Sequence, residues 1–153
     1  MNILMIGALA GLAATVPMTA AMKLMHRLLP REERYPLPPR RVTMRLAEKA
    51  GVKEYLDEPE RKALTVAGHF AYGAAVGALY APLARKVPLA PPLAGAAYGL
   101  AVWTVSYLGW LPAANLITPA TEHPARRNAL MIVAHLVWGA AAGALIGRRE
   151  DRR

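Results

Sequence analysis

Four stretches of this chain contain no Asp, Glu, Lys or Arg: Asn2–Met22, Ala63–Ala84, Val87–Thr121 and Ala129–Gly147. Within each stretch the apolar residues surround the helical axis instead of striping one side, which suits a helix in lipid and not one lying on a soluble core. A crossing of the hydrocarbon layer takes about 20 such residues. Trimmed of the proline-rich ends of the third stretch, the pattern predicts helices near 3–25, 60–84, 92–111 and 126–147. The expected fold class is an all-α integral membrane protein, a bundle of four transmembrane helices. This segregation also reconciles a 55% hydrophobic composition with a net charge of +9, because the charges are confined to the connections and the tail.

The first apolar run lacks a basic leader and exceeds the about 7–15 residues of a signal-peptide core, so it reads as a retained anchor. No cysteine is present, which removes disulfides, thiolate catalysis and cysteine metal sites. Outside the spans no folded basic domain remains for nucleic acid; the positive charge is better matched to anionic lipid headgroups. Lys and Arg number 13 in the loops 23–62 and 126–127 taken together, against 6 at Arg85, Lys86, Arg148, Arg149, Arg152 and Arg153. The positive-inside rule then puts the long loop in the cytoplasm and both termini outside, although the RREDRR tail (148–153) pulls the other way.

RKALTVAGHFAYGAAVGAL (61–79) aligns without a gap on RNALMIVAHLVWGAAAGAL (127–145), with 10 of 19 positions identical. GALAGLA (7–13) similarly matches GAAYGLA (95–101) at five of seven. Repeated words at a fixed offset point to repeated structural units. Spans 1–2 and 3–4 are therefore expected to be two tandem copies of one helical hairpin, related by a pseudo-two-fold axis along the membrane normal as in parallel repeats. Each span also carries glycines four apart: Gly7/Gly11, Gly73/Gly77, Gly95/Gly99 and Gly139/Gly143. Such pairs share a helix face and let backbones approach closely. The second and fourth spans are expected to meet through these faces.

His69 and His135 stand four residues before Gly73 and Gly139, and ionisable groups inside a membrane usually face the bundle interior. With Tyr72 and Trp138 three residues further on, and Thr15, Thr19, Thr104 and Ser106 in the same half, they outline a small polar site. Three uses stay open. The imidazoles can be a structural hydrogen-bonded pair, part of a proton or solute path, or axial ligands of a haem b. Met18, Met22 and His26 on the first span admit a soft-metal site, with gap-filling methionines the plainer interpretation.

In the long loop, Pro36, Pro38 and Pro39 keep the chain extended, and VTMRLAEKAGVKEYL (42–56) can form a surface helix with a basic ridge of Arg41, Arg45, Lys49 and Lys53 for lipid headgroups. Asp57 with Glu60 signals a capping box at the start of the second span. YPLPPR (35–40), following a first span, and AHLVWG (134–139) in the last resemble the YagU-type bacterial inner-membrane proteins, a multi-span family without an assigned activity. The resemblance implies a bacterial cytoplasmic membrane protein and supplies no catalytic residues. No nucleophile–base pair, carboxylate pair or phosphate loop is evident. The expectation is a non-enzymatic bundle, an accessory or oligomer-forming subunit packing against itself or another membrane protein, with no resident cofactor. The alternative is a small transporter or channel for a proton or small solute, its pathway at His69 and His135.

Overall fold

The structure, a computed structural model, describes residues 2–150, with the side chains of 148–150 excepted; Arg152 and Arg153, counted above for topology, lie outside it. It is all-helical, with no strand among the described residues. In chain order come α1 (Ile3–Leu28), α2 (Pro38–Lys49), α3 (Glu58–Ala84), α4 (Pro91–Val105), α5 (Leu111–Ala113) and α6 (Ala125–Glu150). Three of them, α1, α3 and α6, are long and apolar enough to cross a membrane. The segment expected at 92–111 is broken. α4 covers 15 residues, about 22 Å at 1.5 Å per residue. A π-helical turn follows at Ser106–Trp110, where Gly109 (φ −118°, ψ −106°) leaves helical geometry before α5.

Local signals set the helix ends. Asp57 accepts from the Glu60 amide and Glu60 from the Asp57 amide, each at 2.8 Å, so the expected capping box is present. Asp57→Ala should therefore cost about 1 kcal/mol, measurable as a lower melting temperature in detergent; an unchanged melt would show that packing alone holds this end. The surface helix begins four residues earlier than expected. Pro38 and Pro39 occupy its first turn, where a missing N–H costs nothing. It also stops earlier, at Gly51, whose φ of +70° suits glycine. There the Gly51 and Val52 amides close back on the Glu48 and Ala47 carbonyls at 3.0 and 2.9 Å.

The glycines join helices within a hairpin, and α3 and α6 scarcely touch. A Cβ on Gly11 would fall on the Gly73 carbonyl oxygen, and one on Gly7 on that of Gly77. In the other hairpin a Cβ on Gly95 would strike the Gly139 carbonyl, and one on Gly99 the carbonyl of His135. Gly143, expected to face the second span together with Gly139, is instead pressed onto the start of α4, where a Cβ would strike the Pro91 carbonyl oxygen and lie 3.2 Å from the Gly95 Cα. The expected contact between the second and fourth spans is thus replaced by α1–α3 and α4–α6 contacts, with Gly73 and Gly77 turned to α1 and Gly139 and Gly143 turned to α4. Both helices of each hairpin present glycines, so the chain's own neighbour offers the closest backbone approach. The two ladders also differ by one turn: Gly7 meets Gly77, whereas the sequence-equivalent Gly95 meets Gly139, the counterpart of Gly73, and Gly143, the counterpart of Gly77, reaches back to Pro91.

The hairpins join through α1 and α6, where Ala14, Ala134 and Ala142 are fully buried and the Trp138 indole N–H donates to the Gly11 carbonyl at 3.0 Å. Met18 and Met22, buried here among Leu130 and Met131, fill this interface. On the opposite side α3 and α4 stand apart. Small residues close one seam, and the other is left open.

Candidate functional site: a cavity between α3 and α4

The open seam holds a cavity of about 200 Å³ reaching α1 and α6 and covered by α2. His69, Tyr72, Gly73 and Val76 of α3 line one wall. Val102 of α4, with Ser106, Tyr107 and Trp110 of the π-helical turn, lines another, and Met131, His135 and Trp138 of α6 form the back. Pro38, Pro39, Val42, Thr43 and Leu46 of α2 lie across it. Among the described residues, no Asp, Glu, Lys or Arg belongs to the lining.

The π-helical turn decides which side chains face inward. The extra residue per turn swings Ser106 and Tyr107 into the bundle, and both are buried. The Tyr72 hydroxyl then bridges to Ser106 Oγ at 2.9 Å, a polar link between α3 and the π-helical turn beside the cavity. His135, 5% exposed, hydrogen-bonds through Nδ1 to the Met131 carbonyl at 2.7 Å and meets the Tyr107 ring edge-on at 5.6 Å. That bond places the Nδ1 proton, leaving Nε2 an acceptor in the neutral ring. Nε2 of His69 is buried without a hydrogen-bonding partner. Toward the α3–α4 connection the seam is shut, because Tyr80 and Tyr98 stack with centroids 4.7 Å apart and the Tyr98 hydroxyl donates to the Val76 carbonyl at 3.1 Å. The cavity is blind at that end.

Of the residues singled out in the sequence, His69, His135, Tyr72, Trp138, Thr15 and Ser106 come together here. Thr19 and Thr104 do not. Their hydroxyls fold back onto the carbonyls four residues earlier, Thr15 at 2.7 Å and Leu100 at 3.0 Å, as helical threonines commonly do. Thr15 does the same toward Gly11 at 2.8 Å, so its hydroxyl proton is already committed. Sequence reasoning missed Tyr107 and Trp110, which depend on the π-helical turn, and it missed α2 as a cover. Val42 and Leu46, four apart, carried that second signal beside the basic ridge.

The ridge itself is partly committed within the chain. Lys49 Nζ donates to the Ala114 carbonyl at 3.0 Å, Arg45 pairs with Glu48 at 2.8 Å, and Lys53 approaches the same carboxylate at 3.8 Å. Arg41 stands over the Tyr35 ring at 5.9 Å. Among the described residues no group of three or more metal-ligating side chains occurs, and His26 hydrogen-bonds to the Tyr35 carbonyl at 3.2 Å.

A second centre anchors the loop that carries α2. Arg127, 5% exposed, donates to the carbonyls of Glu33 (2.6 Å), Tyr35 (3.0 Å) and Pro36 (3.3 Å), and its guanidinium lies 3.5 Å from the Tyr35 ring centroid. Between the short 3-10 turn ending at Glu33 and the start of α2 the backbone makes no regular helical ladder, so one planar cation serves all three carbonyls, with His26 sharing that of Tyr35. The Tyr35 hydroxyl reaches His123 Nδ1 at 3.0 Å. Burial, with the cations of Arg41 and Arg127 nearby, lowers the His123 imidazole below its ordinary value.

No curated protein matches the chain, and neither does any solved structure. One family model does, over residues 13–144, from the middle of α1 almost to the end of α6, and so takes in the whole cavity and its cover. The chain belongs to that family, DUF1440, described as proteins of unknown function.

Proposed function

We propose that this is a non-enzymatic membrane protein that holds a small molecule in the blind cavity at His69 and His135. It would be a four-span protein built from two tandem hairpins, in the cytoplasmic membrane of a bacterium, with α2 and the loop 23–62 on the cytoplasmic side. α4 together with the π-helical turn and α5 would make the fourth crossing. The carrying observation is the cavity itself, mostly apolar, with a few convergent polar groups and no charge, the usual make-up of a small-molecule site. A role as an accessory or oligomer-forming subunit would find no contact surface in the glycine faces, which pack inside the chain. Any homo-oligomer or membrane partner would have to use lipid-facing residues such as Leu79 and Leu93. Passage of a proton or solute would require the Tyr80–Tyr98 stack to part, so holding is favoured over conduction. Haem between the imidazoles is disfavoured on size, since about 200 Å³ lies below the range of even drug-sized pockets, about 300–1,000 Å³. Arg45 and Lys53, whose side chains are still partly exposed, remain suited to anionic headgroups.

The absence of native cysteine gives a direct test. Ser106→Cys places a thiol in the cavity wall, whereas Val105→Cys, at the neighbouring exposed position, faces lipid. A small uncharged methanethiosulfonate reagent should modify the first at least tenfold faster than the second, because a cavity of this size with polar groups on its wall admits water, in which the thiolate forms, whereas hydrocarbon does not. Equal, slow rates would mean that no small molecule enters.

A further inference from the structure

We infer that the occupant of this cavity is an uncharged six-membered ring bearing an oxygen substituent, a phenol or quinone head, taken up from the bilayer with any tail left in lipid. This rests on the cavity being a small-molecule site. Size sets the first limit. A cavity of about 150 Å³ accepts benzene, so about 200 Å³ suits one substituted ring and no more. The walls set the second. Tyr72, Tyr107, Trp110 and Trp138 present aromatic surface from three sides, and flat rings pack against such surfaces in offset or edge-on arrangements.

Charge and hydrogen bonding set the third limit. With no charged side chain in the lining, an ionic ligand would lose its hydration without compensation. A ligand without any polar atom would leave Nε2 of His69 buried and unpaired, as it is now. One oxygen on the ring satisfies that atom, as donor or acceptor according to the imidazole tautomer. The entrance sets the fourth. Tyr72 (39% exposed), Trp110 (42%) and Leu46 (51%) surround the parted edge of α3 and α4, and their apolar surfaces suit a route from the membrane side. The stacked Tyr80 and Tyr98 close the far end, so a ring enters and stops beside His69.

Three probes of matched tail length separate the possibilities, each affinity corrected for that probe's own partitioning into the detergent: 4-hexylphenol, a hexyl-1,4-benzoquinone and hexylbenzene, titrated into the purified protein. Saturable quenching of tryptophan fluorescence and a rise in melting temperature report binding. The phenol or the quinone should bind about tenfold more tightly than hexylbenzene, the worth of one hydrogen bond to an otherwise unpaired group. His69→Leu should remove that advantage while hexylbenzene still binds, which shows the cavity intact, and His69→Gln should restore part of it. Equal affinity for all three probes, or an advantage that survives His69→Leu, would overturn the ligand class and leave the cavity site standing. No saturable binding of any ring overturns the ligand class; joined to an unreactive Ser106→Cys it removes the cavity site as well, and with a reactive Ser106→Cys it leaves that site to another chemistry.

Discussion

Gly139→Leu should destabilise the protein by about 3 kcal/mol or more, because the new side chain has no direction in which to go. Its Cβ would land on the Gly95 carbonyl oxygen, with the Gly99 amide nitrogen 3.0 Å away on the same facing helix, and a backbone cannot rotate aside as a side chain can. Gly11→Leu should behave alike against Gly73 in the other hairpin. The comparison is Leu79→Ala, where a 64% exposed side chain is truncated and the change should stay within about 0.5 kcal/mol. Melting in detergent, or unfolding in a denaturing surfactant titration, measures both. If Gly139→Leu melts with the parent, α4 and α6 are not in backbone contact and the hairpin geometry is wrong.

Arg127→Leu should cost a similar amount, about 3 kcal/mol, by a different route. Three loop carbonyls lose a charged donor and Tyr35 loses its cationic partner, each charge-assisted bond being worth about 1.5–3 kcal/mol before the freed carbonyls recover water. Its visible consequence should be a loosened segment between α1 and α2, cut by trypsin at Arg31 or Arg34 well before the helices are digested. Arg127→Lys should recover less than half of the stability, because a compact ammonium cannot span three carbonyls and stack on a ring. A lysine variant as stable and as protease-resistant as the parent would show that charge alone matters here.

The sequence said clearly where the long apolar helices begin and end. Charge-free apolar runs placed α1, α3 and α6 within a few residues of their ends, since burying a charge in hydrocarbon costs more than any local preference can recover. Asp57 and Glu60 announced their helix end for an equally local reason. The spacing puts His69 and His135 on the glycine-bearing faces of their helices, but that both line one cavity follows from how the helices are assembled. What it misjudged was partnership. A glycine stripe tells that a backbone will come close, but not which one: Gly139 and Gly143 meet α4 and not α3, because the neighbour in the same hairpin takes that place. Arg127 is a case of the same kind. In the sequence it is one more loop charge on the basic side, and its burial follows from an extended segment 91–94 residues earlier in the chain.

Local chemistry, the capping box and the lipid-compatible runs, was therefore determined by the amino-acid sequence alone: each depends on residues within one helix and on the solvent around it. The cavity was decided only by the tertiary structure. It exists because alanines close the α1–α6 seam while the stacked rings of Tyr80 and Tyr98 stand between α3 and α4. It faces inward because the π-helical turn rotates Ser106 and Tyr107 by the width of one residue. It is covered because Arg127 fixes the extended loop that carries α2. A space is bounded by residues from every helix at once, so its size and lining follow from how the helices are assembled, which no single stretch of the chain encodes.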